Sequence, residues 1–93
     1  MTEAELLSKV KIRLGITGVF QDELLSAYIS DVKNYLRDAG VTDDVLTSEA
    51  SVGVIARGVS DSWNYGSGDG QFSEIFYQRA EQLRHKVEVD ANE

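Results

Sequence analysis

The chain has no cysteine and no proline, and one histidine, one tryptophan and one methionine in 93 residues. Without cysteine there can be no disulfide, no thiolate zinc site and no cysteine nucleophile. A lone histidine leaves almost no room for histidine-rich metal sites or the usual nucleophile–base pairs. That residue, His85, falls near the end of a helical segment and reads as a surface side chain facing the helix C-terminus. Basic charge is also scarce: 9 Lys and Arg stand against 16 Asp and Glu, for a formal net charge of −7. Such a balance argues against a protein whose main task is gripping phosphate backbones, although a local basic patch is compatible with it. No apolar run approaches the roughly 18 residues that a bilayer span needs. The opening "MTEAELLSKV" lacks the basic start and apolar block of a signal peptide. A cytoplasmic protein without a membrane partner is expected.

What is present is ordinary for a globular chain, with 42% apolar and 27% charged residues. The length suits one domain over residues 1–93, with a modest core that removes roughly 60–65% of the unfolded surface from water. A domain this small, with no covalent staple, often relies on a partner chain, so oligomerisation is an early expectation.

Four segments carry helical spacing, and no convincing alternating strand appears. The first spans 2–14, with Leu6, Leu7, Val10 and Leu14 on one side, a Thr2/Glu5 capping box, a Glu5–Lys9 pair and Gly15 as its stop. The second spans 22–39, where Leu25, Tyr28, Ile29, Val32, Tyr35, Leu36 and Ala39 form a wide apolar stripe and Gly40 follows. "VTDDVLTSEA" then reads as a turn with its own short helical piece. The third spans 48–65 on a stripe of Val52, Ile55, Ala56, Val59 and Trp63. Gly53 and Gly58 inside it each cost about 1 kcal/mol relative to Ala. They mark either the close approach of another helix or a kink. The fourth spans 73–88, with Ser73 as N-cap, a Phe72/Tyr77 hydrophobic staple, and Phe76, Ala80, Leu83 and Val87 on one face. "VDANE" is expected to fray. The fold class is all-α: a compact bundle of about four helices with a Gly-rich loop between the third and fourth.

That loop, "WNYGSGDGQFSEIF" over residues 63–76, is the stretch where a ligand site would first be sought. A P-loop needs a preceding strand and a lysine after the glycines, and neither is here. The dinucleotide fingerprint fails on spacing and context. Asp69 is the only carboxylate between Asp61 and Glu74, too few for calcium. No cofactor and no metal is expected. The loop is either a flexible joint between helices or a segment that contacts a partner. Asp43 and Asp44, adjacent in sequence, read as capping or solvated, so no catalytic residues are assigned and enzyme activity is not expected.

Asp61-Ser62 resembles the attachment dipeptide of acyl carrier proteins, which are also small, acidic and four-helical. In that family the serine opens a helix and a leucine follows it. Here Ser62 lies late in an apolar-periodic segment and Trp63 follows it. A DNA-binding regulator is a further alternative, but the third helix offers only Arg57 before its aromatic end.

Trp63, Tyr65, Phe72, Phe76 and Tyr77 are either the hinge end of the core or part of an interface, since large rings are enriched at contact hot spots. Lys9 and Arg13 share a face of the first helix, and Arg79 lies on the fourth with Arg84 and Lys86. These basic residues are either solvated or meet acidic faces of identical neighbours. The candidate interface residues are therefore Trp63, Tyr65, Phe72, Lys9, Arg13 and Arg79, with Tyr65 and the glycines expected to be exposed.

The order of parts resembles the small head–tail connector proteins (head-completion or DNA-packaging adaptors) of tailed bacteriophages and prophages. The likeness runs through "ELLSKVKIRLGI", "DELLSAYISDVKNYLRDAG", "SVGVIARGVSDSWNYGSG" and "FSEIFYQRAEQLR", nearly the whole chain. It is carried by overall pattern and by no catalytic motif. The resemblance implies a ring of identical subunits under the portal that extends the DNA channel and gives tail or tail-completion proteins a platform. It also implies a place at the virion head–tail junction, reached from the host bacterial cytoplasm, and loops that rearrange on assembly. An acidic conduit would let DNA slide through without specific binding.

Overall fold

In a computed structural model the described residues are 1–65 and 72–91, with the side chains of Tyr65 and residues 86–91 outside the description. These residues form five α-helices and one 3-10 turn, and no strand among them: α1 (Glu3–Leu14), α2 (Asp22–Asp38), α3 (Asp43–Leu46), the turn Glu49–Ser51, α4 (Val52–Tyr65) and α5 (Glu74–Ala91). An all-α bundle is therefore the fold class.

The helix ends follow local chemistry. Thr2 Oγ1 accepts from the Glu5 amide at 3.1 Å, and Glu5 Oε1 accepts from the Thr2 amide at 3.1 Å, so the capping box is complete. Gly15 stops α1 in the left-handed region at φ 71°, while the Ile16 amide donates back to the Lys11 carbonyl at 2.9 Å. The segment after Gly40 forms the short α3, whose Val45 and Leu46 are buried. The third periodic segment enters through the 3-10 turn, where the buried Ser51 hydroxyl donates to the carbonyls of Leu46 and Ser48 at 2.9 Å. Ser73 caps α5, its Oγ accepting from the Phe76 amide at 3.2 Å. The first three residues of "VDANE" depart from expectation, since the helix continues to Ala91.

Helix α4 is the centre of the packing, in contact with α1, α2 and α5. It has little choice, because Val52, Val54, Ile55, Ala56 and Val59 leave it apolar around most of its girth. One core cluster gathers Leu6 and Val10 of α1, Leu25, Ile29, Val32 and Leu36 of α2, the α4 residues, and Phe76, Ala80 and Leu83 of α5. Phe76 is wholly buried, which stabilises the fold by about 2–3 kcal/mol relative to an exposed ring. Gly58 is what lets Phe76 in: a Cβ there would stand 2.8 Å from Phe76 Cε1 and from both Val32 methyls. Of the two glycines in α4, Gly58 is thus the close approach; a Cβ on Gly53 would meet only the end of Arg13, at 3.4 Å.

Candidate functional site

Two surface features and one internal tie stand out among the described residues. The first is the connection from α1 to α2. Lys11, in the last turn of α1, reaches across it: its ammonium donates to the Gly18 carbonyl and, at 2.6 Å, to Asp22 Oδ1 on α2. Gly18 is in the left-handed region at φ 80°, and the Asp22 amide donates to the Val19 carbonyl at 3.2 Å. The backbone is thereby turned so that Val19 and Phe20 face water, 79% and 99% exposed; Ile12, in α1, is also exposed at 77%. Val19 and Phe20 are thus two adjacent large apolar side chains left in water on this connection. The sequence reading missed them. Val19 and Phe20 belong to no stripe, and the available signal was an apolar pair caught between Gly18 and the α2 N-terminus.

The second place is a groove of about 410 Å³ between α1, α4 and α5, walled by Leu14, Ala56 and Ile75 and carrying Arg13, Arg57 and Arg79. Two of these cations, Arg13 and Arg79, were among the expected interface residues. Arg57 Nε is 3.4 Å from Asp61 Oδ1 and donates to Ser73 Oγ at 3.2 Å. Arg13 and Arg79 make no ion pair among the described residues. Lys9 does not join them, because its ammonium pairs with Glu49 ahead of α4. The expected Glu5–Lys9 pair is not a direct ion pair, although Lys9 still favours the charged Glu5 carboxylate from a distance. Glu5 instead serves the Thr2 cap, and those hydrogen bonds hold its carboxyl below the ordinary value of 4.5.

Between the two helices that flank the glycine-rich segment lies the internal tie. Asp61, 1% exposed within α4, accepts from both the Ser73 amide (2.9 Å) and the Ser73 hydroxyl (2.7 Å) through Oδ2. The N-terminus of α5 is therefore clamped to α4 by a buried carboxylate whose charge faces Arg57 and the positive helix end. Ser62, the neighbouring residue of the carrier-like dipeptide, sits inside α4 with its hydroxyl donating to the Gly58 carbonyl at 3.0 Å. It does not open a helix, and Asp61 beside it is committed to Ser73.

The aromatic residues form two groups. Phe72 stacks on Phe76 with centroids 4.3 Å apart and packs on Tyr35 of α2 at 5.3 Å. Its staple partner Tyr77 meets it edge-on at 6.2 Å, and the Tyr77 hydroxyl accepts from the Phe72 amide at 3.1 Å. Burial raises the Tyr35 hydroxyl above its ordinary value of 10.0, with the nearby Tyr77 adding to the shift. Phe72 thus belongs to the α2–α5 seam. Trp63 is elsewhere, edge-on to Tyr28 of α2 at 6.3 Å and 39% exposed. The expected exposure of Tyr65 and of the glycines at 66, 68 and 70 lies outside the described residues. His85 is exposed, with Nε2 3.2 Å from Glu81 Oε1. Among the described residues no group of three or more His, Asp or Glu could hold a metal ion, and no helix is long and apolar enough to cross a membrane.

A small helical bundle whose buried polar side chains, Ser51 and Asp61, are spent on holding backbone and helix ends together is an all-α domain. Residues 4–84 match the family model of the phage gp6-like head-tail connector protein. The chain belongs to this phage head–tail connector family, a structural class and not an enzyme class. No curated protein and no solved structure matches it.

Proposed function

We propose that this protein assembles as a ring of identical copies beneath the portal, extends the DNA channel and provides the surface on which tail or tail-completion proteins dock. Family membership over residues 4–84 is the observation that carries this function. The geometry supports it. A tip with Phe20 fully in water gains only when a partner covers it, at roughly 25 cal/mol per Å² of apolar surface removed. Lys11 and Asp22 hold that tip in place, so little ordering remains to be done on docking. With a net charge of −7, the assembled ring passes DNA without binding it specifically. The subunit is made in the host bacterial cytoplasm and functions at the virion head–tail junction.

Heads assembled without this subunit provide the test. Purified tails are expected to join such heads only after the purified protein is added back, and tail joining in its absence would contradict the proposal. Neutralising the lumen-facing acids tests the conduit separately; genome retention and ejection unchanged by that substitution would remove the electrostatic part.

A further inference from the structure

We infer that the arginine groove between α1, α4 and α5 receives the acidic outer face of α2 from a second copy of this chain. The inference rests on the proposed ring and names the contact that closes it. Arg57 is held by Asp61 and Ser73, whereas Arg13 and Arg79 have no ion-pair partner among the described residues. Two uncompensated guanidinium groups beside Leu14, Ala56 and Ile75 suit a partner that is acidic with small side chains between its acids. In a chain of net charge −7, such surfaces are supplied most readily by the chain itself.

Helix α2 carries one. Its buried residues are Leu25, Ile29, Val32 and Leu36. On the opposite side, Glu23, Ala27, Asp31 and Asp38 follow one another at steps of four, four and seven, all exposed. None of the three acids makes an ion pair among the described residues, and Ala27 between them leaves room for a close approach. Lys33 and Arg37 lie to one flank of this stripe, and Arg37 is paired with Asp43 at 2.9 Å.

The relative placement of groove and stripe decides the kind of assembly. Gly53, Ala56, Arg57 and Ser60 share the groove face of α4 at steps of three, one and three. Gly58 stands two residues from both Ala56 and Ser60, so it points the other way, and there it meets Val32 of α2. The acidic stripe therefore lies across α4 from the groove. No copy can join its own groove to its own stripe, and a two-fold pair cannot satisfy both at once. Each copy uses its groove on one neighbour and its stripe on the other, which is a head-to-tail contact, the kind that builds a ring when the rotation from copy to copy closes.

The absence of cysteine makes a direct test possible, since an introduced thiol is the only one in the chain. Ala27→Cys and Ser60→Cys place single thiols on stripe and groove while keeping every charge. Mixed in the presence of the portal and treated with a short bis-maleimide, they are expected to give a cross-linked dimer that neither variant gives alone. Equal cross-linking in Ser60→Cys alone, or none in the mixture while the wild-type protein forms rings, overturns the inference and leaves the proposed ring standing. Charge reversal is the second arm. Arg13→Glu with Arg79→Glu is expected to weaken ring formation roughly tenfold or more, and adding Asp31→Arg with Asp38→Arg to the same chain is expected to restore it. Rings unaffected by the reversal overturn the inference. So do intact rings that have lost salt-sensitive binding to duplex DNA, which would make the groove a phosphate contact. If the wild-type protein forms no ring on the portal, the proposed function falls together with the inference.

Discussion

A methyl group on Gly58 would stand 2.8 Å from Phe76 and Val32, both fully buried, so neither can step aside into solvent. Overpacking of this kind costs about 1–3 kcal/mol, more than the roughly 1 kcal/mol that Ala gains over Gly in a helix. Gly58→Ala is therefore expected to lower the denaturant midpoint with an unchanged m-value. Gly53→Ala meets only the mobile end of Arg13 and is expected to be neutral or to stabilise by up to about 1 kcal/mol. The two glycines look alike in the sequence, where both simply interrupt an apolar stripe. Which of them faces a neighbour depends on Val32 and Phe76, which lie on other helices. Glu5 makes a different residue-scale case. Its folded carboxyl titrates below 4.5, so its contribution is present above the unfolded value and lost as pH falls through the folded one. Glu5→Gln is expected to be less stable than wild type at pH 7, with the gap narrowing as pH falls into the acid range. Parallel urea melts across that range check it, and a gap that persists at low pH contradicts it.

At the scale of elements, the caps and stripes were legible because helix periodicity and terminus chemistry are local. The Thr2/Glu5 box, the Gly15 stop and the Ser73 cap with its Phe72/Tyr77 staple all follow from residues within five positions of one another. Their long-range complements were not legible. Trp63 and Phe72 look like one aromatic patch in the sequence, but Tyr28 claims the first and Tyr35 the second, each from α2. The Asp61–Ser73 clamp was hidden for the same reason, its partners being separated by the glycine-rich segment. It gives a clear prediction. Asp61→Ala strips the Ser73 amide and hydroxyl of their acceptor inside the fold and is expected to cost about 1–3 kcal/mol. Hydrogen exchange should localise that loss to the first turn of α5. Equal loss of protection along α1 would show that Asp61 does not act through this clamp. The α1–α2 connection predicts the converse. Phe20 is almost wholly in water, so Phe20→Ser is expected to leave the unfolding free energy within about 0.5 kcal/mol of wild type while weakening attachment to the assembled head. A large fall in stability would mean that Phe20 belongs to the core.

For the whole molecule, the central fact is asymmetry between opposite sides. One side carries the groove with Arg13 and Arg79, and the side beyond α4 carries Glu23, Asp31 and Asp38. The exposed apolar pair Val19 and Phe20 lies on the α1–α2 connection. A chain with no covalent staple thus joins a modest core to an arginine groove and an acidic α2 face on opposite sides, and it belongs to the phage head–tail connector family. The most direct measurement is electron microscopy of the purified wild-type protein mixed with its own portal. The expected image is a closed ring of identical subunits seated under the portal and continuous with its channel. A portal left bare, with the protein remaining monomeric beside it, would contradict the account.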